Sequence, residues 1–118
     1  MLVSAYGWQW KQRRFGGIFP DEYAKAKERE NFSVQQWQDY EQQQLQRILT
    51  HAFTNVPYYR GSFSLAGITT VQLKNFTTEQ LPQLPVLTKE DLRKFATSTL
   101  LSSAKEKNGT FIASSGST

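Results

Sequence analysis

From Ser33 to Asn55 the chain places Trp37, Tyr40, Gln44 or Leu45, Ile48, Ala52 and Phe53 at intervals of three, four and five. That period lays an apolar stripe along one face of a helix, and Ser33 with Gln36 three residues on supplies a capping box at its start. Gln35, Gln36, Gln38, Gln42, Gln43 and Gln46 are assigned to the outer face, where they solvate the helix without charge. Pro57 ends the helix, because Val56 before it is driven out of the α region.

On either side the pattern is shorter. Residues 6–20 mix Trp8, Trp10 and Phe15 with Gly16-Gly17 and Pro20, which predicts an irregular arm whose rings need somewhere to dock. Asp21 to Glu30 has neither Gly nor Pro and sets Glu22, Ala26 and Glu30, and Tyr23 with Lys27, at helical spacing, so a short exposed helix is expected. Leu65, Ile68, Val71, Leu73, Phe76 and Leu81, punctuated by Gly61 and Gly67, predict small helical turns rather than strands. Leu81 and Leu84 each precede proline and are expected to be extended. Thr88 with Asp91 then predicts a capped helix from Lys89 to about Phe95. Lys105 to Gly109 reads as a turn, and Thr110-Phe111-Ile112-Ala113 as a brief strand. The fold class is therefore mainly α with a short β segment at the C-terminus.

Composition changes this picture in a few places. A chain of 118 residues is one domain's worth and buries roughly two-thirds of its unfolded surface. Its apolar share of 38% lies below the usual ~45–50%, and sixteen aromatics offset only part of the deficit, so an incomplete core is expected. The net charge of +4 is spread along the chain. Its densest cationic stretch, Lys11, Arg13 and Arg14 beside Trp8, Trp10 and Phe15, has the residue types that contact phosphates and stack on bases; a solvated, aromatic-anchored segment is the favoured reading, with no nucleic-acid partner. There is no cysteine, which excludes a disulfide framework and fits a cytoplasmic setting. No secretory signal and no membrane span are expected. His51 has no second His or Cys to complete a metal site, so a packed or surface role is expected. Lys89, Glu90, Asp91 and Arg93 are assigned to capping and solvation rather than acid–base chemistry.

The sequence closes on Ser114, Ser115, Gly116, Ser117 and Thr118, a turn of Gly and hydroxyl side chains that leaves backbone N–H groups free to face an anion; the same composition also describes a flexible linker. Three motifs run in order: Val56-Pro57-Tyr58-Tyr59-Arg60, then Leu84-Pro85-Val86-Leu87-Thr88-Lys89-Glu90-Asp91-Leu92-Arg93, then Ser114-Ser115-Gly116-Ser117-Thr118. Together they resemble the beginning of adenylate-forming enzymes of the phenylacetate–coenzyme A ligase-like family. Arg13-Arg14-Phe15-Gly16-Gly17 resembles most the branch linked to capsular polysaccharide biosynthesis.

The resemblance implies an N-terminal fragment, inactive alone, of a large α/β ATP-binding domain. It would comprise an arm and short helix at 1–32, an amphipathic helix at 33–56, and from 57–118 the start of the AMP/ATP-binding domain. Ser114, Ser115, Gly116, Ser117 and Thr118 would open the loop that holds the phosphates of ATP, with Mg²⁺ placed by later residues. No catalytic residue and no metal ligand is implied within these residues. The implied chemistry is attack of a small carboxylic acid on the α-phosphate of ATP, then transfer of the acyl group to a thiol such as coenzyme A. The first two motifs are expected to be structural. The alternative is a small helical protein-interaction module with an aromatic N-terminal arm.

Overall fold

A computed structural model describes residues 2–104, together with 109 and 112. Among the described residues every regular element is helical: α1 (Leu2–Phe15), α2 (Phe19–Arg29), α3 (Val34–Asn55), α4 (Pro57–Leu65), α5 (Thr70–Lys74), a 3-10 segment (Thr78–Gln83) and α6 (Lys89–Phe95). The mainly α expectation therefore holds. The expected turn at 105–109 and strand at 110–113 fall outside the described residues, apart from Gly109 and Ile112, which belong to no regular element. The chain divides into two compact units, Met1–Tyr40 and Glu41–Thr118.

In the first unit the expected irregular arm is instead helix α1. Gln9, Lys11, Gln12, Arg13 and Arg14 are good helix formers, and Gly16-Gly17 with Pro20 lie between two helices, where they are tolerated. Gly17 takes φ 62°, the left-handed bend that ends α1, and Pro20 stands in the first turn of α2. Asp21 and Glu22 begin α2 and Lys27 and Arg29 end it, each sign complementing the helix dipole. The capping box of α3 forms as expected: the Ser33 amide donates to Gln36 Oε1 at 2.8 Å and the Gln36 amide to Ser33 Oγ at 3.2 Å. Phe32 just before that cap meets Trp37 one turn on, with ring centroids 5.6 Å apart, which fixes the angle at which the chain enters the helix. No described side chain of this unit is buried.

The second unit carries the core. Leu49, Phe63, Leu73 and Phe76 form it, with Leu45, Ala52, Phe53, Tyr59, Ile68 and Leu84 packed around them. The face of α3 that turns inward is Leu45, Leu49, Ala52 and Phe53, which corrects the expected stripe: Ile48 is 64% exposed and Leu49 only 8%. One residue is roughly 100° around the helix, so a pattern that admits steps of three, four and five does not separate these two neighbours. The outward assignment of the glutamines also needs correcting. Gln42 and Gln46 are half-buried, and both side-chain amides donate to the Phe76 carbonyl, Gln46 at 3.3 Å. They satisfy the acceptor of a buried residue that lies between α5 and the 3-10 segment, outside any helical ladder.

Beyond Leu65 short helical segments follow, as the broken apolar spacing predicts, whereas α4 is not among the expected elements. Helix α4 begins at Pro57 behind an extended Val56 (φ −116°, ψ 106°) and runs through Gly61 without interruption. Its end is set by Gly67 at φ 73°, where the Ile68 amide reaches back to the Phe63 carbonyl at 2.9 Å and the Gly67 amide to Ser64 at 3.0 Å. That left-handed cap drops Ile68 onto the Phe63 cluster. Thr69 and Gln72 close a capping box around α5. Leu84 is extended (φ −74°, ψ 142°), but Leu81 belongs to the 3-10 segment. There the Leu84 amide bonds to the Leu81 carbonyl at 3.1 Å, and Pro82 occupies the turn position that its fixed φ favours.

Candidate functional site

The described part of the candidate site is the joint at the C-terminal end of α3, where the first two motifs meet. A helix end leaves its last carbonyls without intrahelical donors. Here they are taken up. Arg60 Nε donates to the Phe53 carbonyl at 3.2 Å, an Arg60 terminal nitrogen donates to the Thr54 carbonyl, and the Ser103 amide donates to the Asn55 carbonyl at 2.7 Å. A cation at this end also complements the helix dipole. The first motif thus folds back on the helix it follows: proline stops α3, and three residues later arginine closes it.

Tyr58 ties the first motif to the second. Its amide donates to the Thr99 carbonyl at 2.9 Å, and its ring lies 5.6 Å from that of Phe95 at the end of α6. Desolvation first, and then the neighbouring Asp91 carboxylate, raise the tyrosine's pKa. Asp91 is held below its ordinary value, chiefly by the Thr88 hydroxyl, which donates to Asp91 Oδ2 at 2.7 Å, and further by Tyr58. The Asp91 amide in turn donates to Thr88 Oγ1 at 3.0 Å, so the cap expected from the sequence is present.

Because Asp91 ionises more readily folded than unfolded, this grip contributes stability above the unfolded pKa and loses it as pH falls through the lower folded value. Acidification below the usual aspartate range is therefore expected to loosen α6, read as reduced protection of the Ala96 amide, which closes on Leu92 at 3.0 Å. Asp91→Asn should abolish that pH step. A protection factor that stays constant through the range, or one whose acid loss persists in the variant, would contradict the assignment.

His51 lies on the exposed side of α3 and joins the same hub. Its Nδ1 faces the Asn55 side-chain nitrogen at 3.1 Å, and its Nε2 faces Ser102 Oγ at 3.2 Å. Ser102 Oγ also accepts from the Ala104 amide at 3.1 Å. His51 thus joins α3 to residues 102–104. Its exposed position is the surface form of the expected packed or surface role.

Ser114, Ser115, Gly116, Ser117 and Thr118, the residues expected to face phosphate, lie outside the described residues. Sequence reasoning missed Arg60, Asn55, Ser102 and Ser103 as parts of the joint. Arg60 was findable, since a cation shortly after a helix end is a recognised partner for the last carbonyls. The Ser102 contact spans 51 residues and leaves no local trace.

The first unit presents a second surface. Rings of Trp10, Phe15, Phe19 and Tyr23 follow one another at centroid distances of 6.1, 5.2 and 5.9 Å, and the Arg14 guanidinium lies over Trp10 at 5.1 Å and Phe15 at 6.0 Å. Trp8, Ile18 and Tyr6 are exposed beside them. Among the described residues no helix is long and apolar enough to cross a membrane. No protein-family model matches the chain, and no curated protein or solved structure matches it.

Proposed function

We propose that the chain is the opening segment of an ATP-dependent, acyl-adenylate-forming ligase of the phenylacetate–coenzyme A ligase-like kind, working in the cytoplasm. The observation that carries this reading is the joint at the end of α3. Tyr58 of the first motif packs on the segment that continues directly from the second, through its ring on Phe95 and its amide on the Thr99 carbonyl, and residues 102–104 meet the same helix end shortly before Ser114. A phosphate-binding loop needs a fixed stem, because donors must be held in place before the charge arrives.

Gly116 lets backbone approach an anion closely, while Ser114, Ser115, Ser117 and Thr118 add hydroxyl donors, so the donor set suits the phosphates of ATP. ATP supplies the electrophilic α-phosphate and a pyrophosphate leaving group, whose charge Mg²⁺ shares; the metal ligands and the acid pocket belong to other residues of the implied enzyme. The role assigned to this chain is to gather and orient phosphate charge, with the α3 joint keeping the loop's stem in place. The acyl acceptor in this reading is a thiol such as coenzyme A.

The test is carboxylate-dependent exchange of labelled pyrophosphate into ATP by the full-length protein. Exchange is expected with at least one member of a broad acid panel, and Ser115→Ala with Ser117→Ala should lower it about a hundredfold, the scale for removing transition-state donors. No exchange with any acid, or full exchange in the double variant, overturns the proposal. A helical protein-interaction module is the second reading, favoured by the exposed rings of the first unit; cooperative unfolding of the 118-residue chain together with absent exchange would select it.

A further inference from the structure

We propose that α1 and the turn that follows it dock on an anionic phospholipid surface, seated at the depth of the headgroups. Between residues 2 and 20 the sequence has no acidic side chain and three cations, Lys11, Arg13 and Arg14. Interleaved with them are the exposed rings of Tyr6 (70%), Trp8 (66%) and Trp10 (49%). Charge of one sign selects an anionic partner, and Trp and Tyr favour the membrane interface, where an apolar ring and a polar edge are both accommodated.

The arrangement around the helix decides the depth and the kind of partner. Tyr6 and Trp10 share one face, where with Gln9 and Arg13 they line a shallow groove. Trp8, two residues from each of them, lies roughly opposite, while the Phe15 ring folds back against Trp10 at 6.1 Å. A helix that enters a protein groove needs one continuous apolar stripe, and α1 has none. A girdle of rings and cations suits the headgroup layer, which offers polar and apolar contacts on all sides. Single-stranded nucleic acid needs free ring faces for base stacking, and those of Trp10 and Phe15 are engaged by Arg14 and by each other. At 14 residues α1 is too short to span a bilayer, so its rings and cations act at headgroup depth. This inference is independent of the ligase reading.

The experiment is co-sedimentation of the intact chain with vesicles of phosphatidylcholine alone or of equal parts phosphatidylcholine and phosphatidylserine, with tryptophan emission recorded in parallel. Binding to the mixed vesicles is expected, with a blue shift, and weakened as salt rises from about 0.1 to about 0.5 M. Each cation contributes about fivefold, so K11Q/R13Q/R14Q should bind roughly a hundredfold more weakly. Trp8→Ala should also weaken binding while keeping the salt dependence; both variants preserve good helix formers. Equal binding to the neutral vesicles, an unaffected triple variant, tighter binding to a single-stranded oligonucleotide than to mixed vesicles, or a lipid-free dimer that hides the tryptophans would each overturn the proposal.

Discussion

Phe63→Ala is expected to destabilise the 41–118 unit by about 3–5 kcal/mol, the range for removing a buried ring from a core. Phe63 is 2% exposed, its ring tilted against Tyr59 of its own helix at 5.6 Å and joined to Leu49, Leu73 and Phe76 from other segments. Its carbonyl also receives the Ile68 amide that closes the Gly67 bend. A small unit has only a few kcal/mol in hand, so most of its margin should go. All three tryptophans precede residue 41, and their emission reports the first unit. Amide exchange along α3 and α4 is the measurement for the second. A urea midpoint for those amides that shifts by less than the equivalent of about 1 kcal/mol would show that Phe63 is not central to the core.

Leu73→Ala comes next, at about 2–5 kcal/mol, and its consequences should reach farther along the chain. Leu73 has 0% exposure, the lowest among the described residues, yet stands on a helix of five residues that cannot persist by itself. The capping box of Thr69 and Gln72 fixes where α5 starts, but only the buried leucine fixes where it lies. Phe76 follows it at once, with the carbonyl that accepts from Gln42 and Gln46. Loss of Leu73 is therefore expected to expose the Asn75 and Phe76 amides to exchange and to free both glutamines, while α6, held by Thr88 and Asp91, keeps its protection. Uniform loss of protection across α5 and α6 would mean that the unit opens as one piece and that Leu73 has no local role. The neighbouring Val71 is 68% exposed, so Val71→Ala serves as the internal control with little effect expected.

These two residues also mark where the sequence ran out. Ser33, Thr69, Thr77 and Thr88 each bond to, or receive bonds from, the residue three places on, and a cap of that kind is a local event. The same holds for Val56 before Pro57 and for Gly67 at its left-handed bend. Residues 6–20 were misread because Gly16, Gly17 and Pro20 were weighed over the whole stretch, when they act only at a helix end and a helix start. The candidate phosphate loop was legible as chemistry alone: hydroxyls and glycine name a ligand type without giving it a place.

The sequence by itself determined α3 between Ser33 and Asn55 and α6 between Lys89 and Phe95, because capping and proline act within four or five residues. Tertiary structure alone decided that Leu49 rather than Ile48 turns inward, that Gln42 and Gln46 serve the Phe76 carbonyl, and that Arg60, Ser102 and Ser103 close the end of α3. Burial and the satisfaction of a lone carbonyl depend on which distant segment arrives, and no local pattern encodes that arrival.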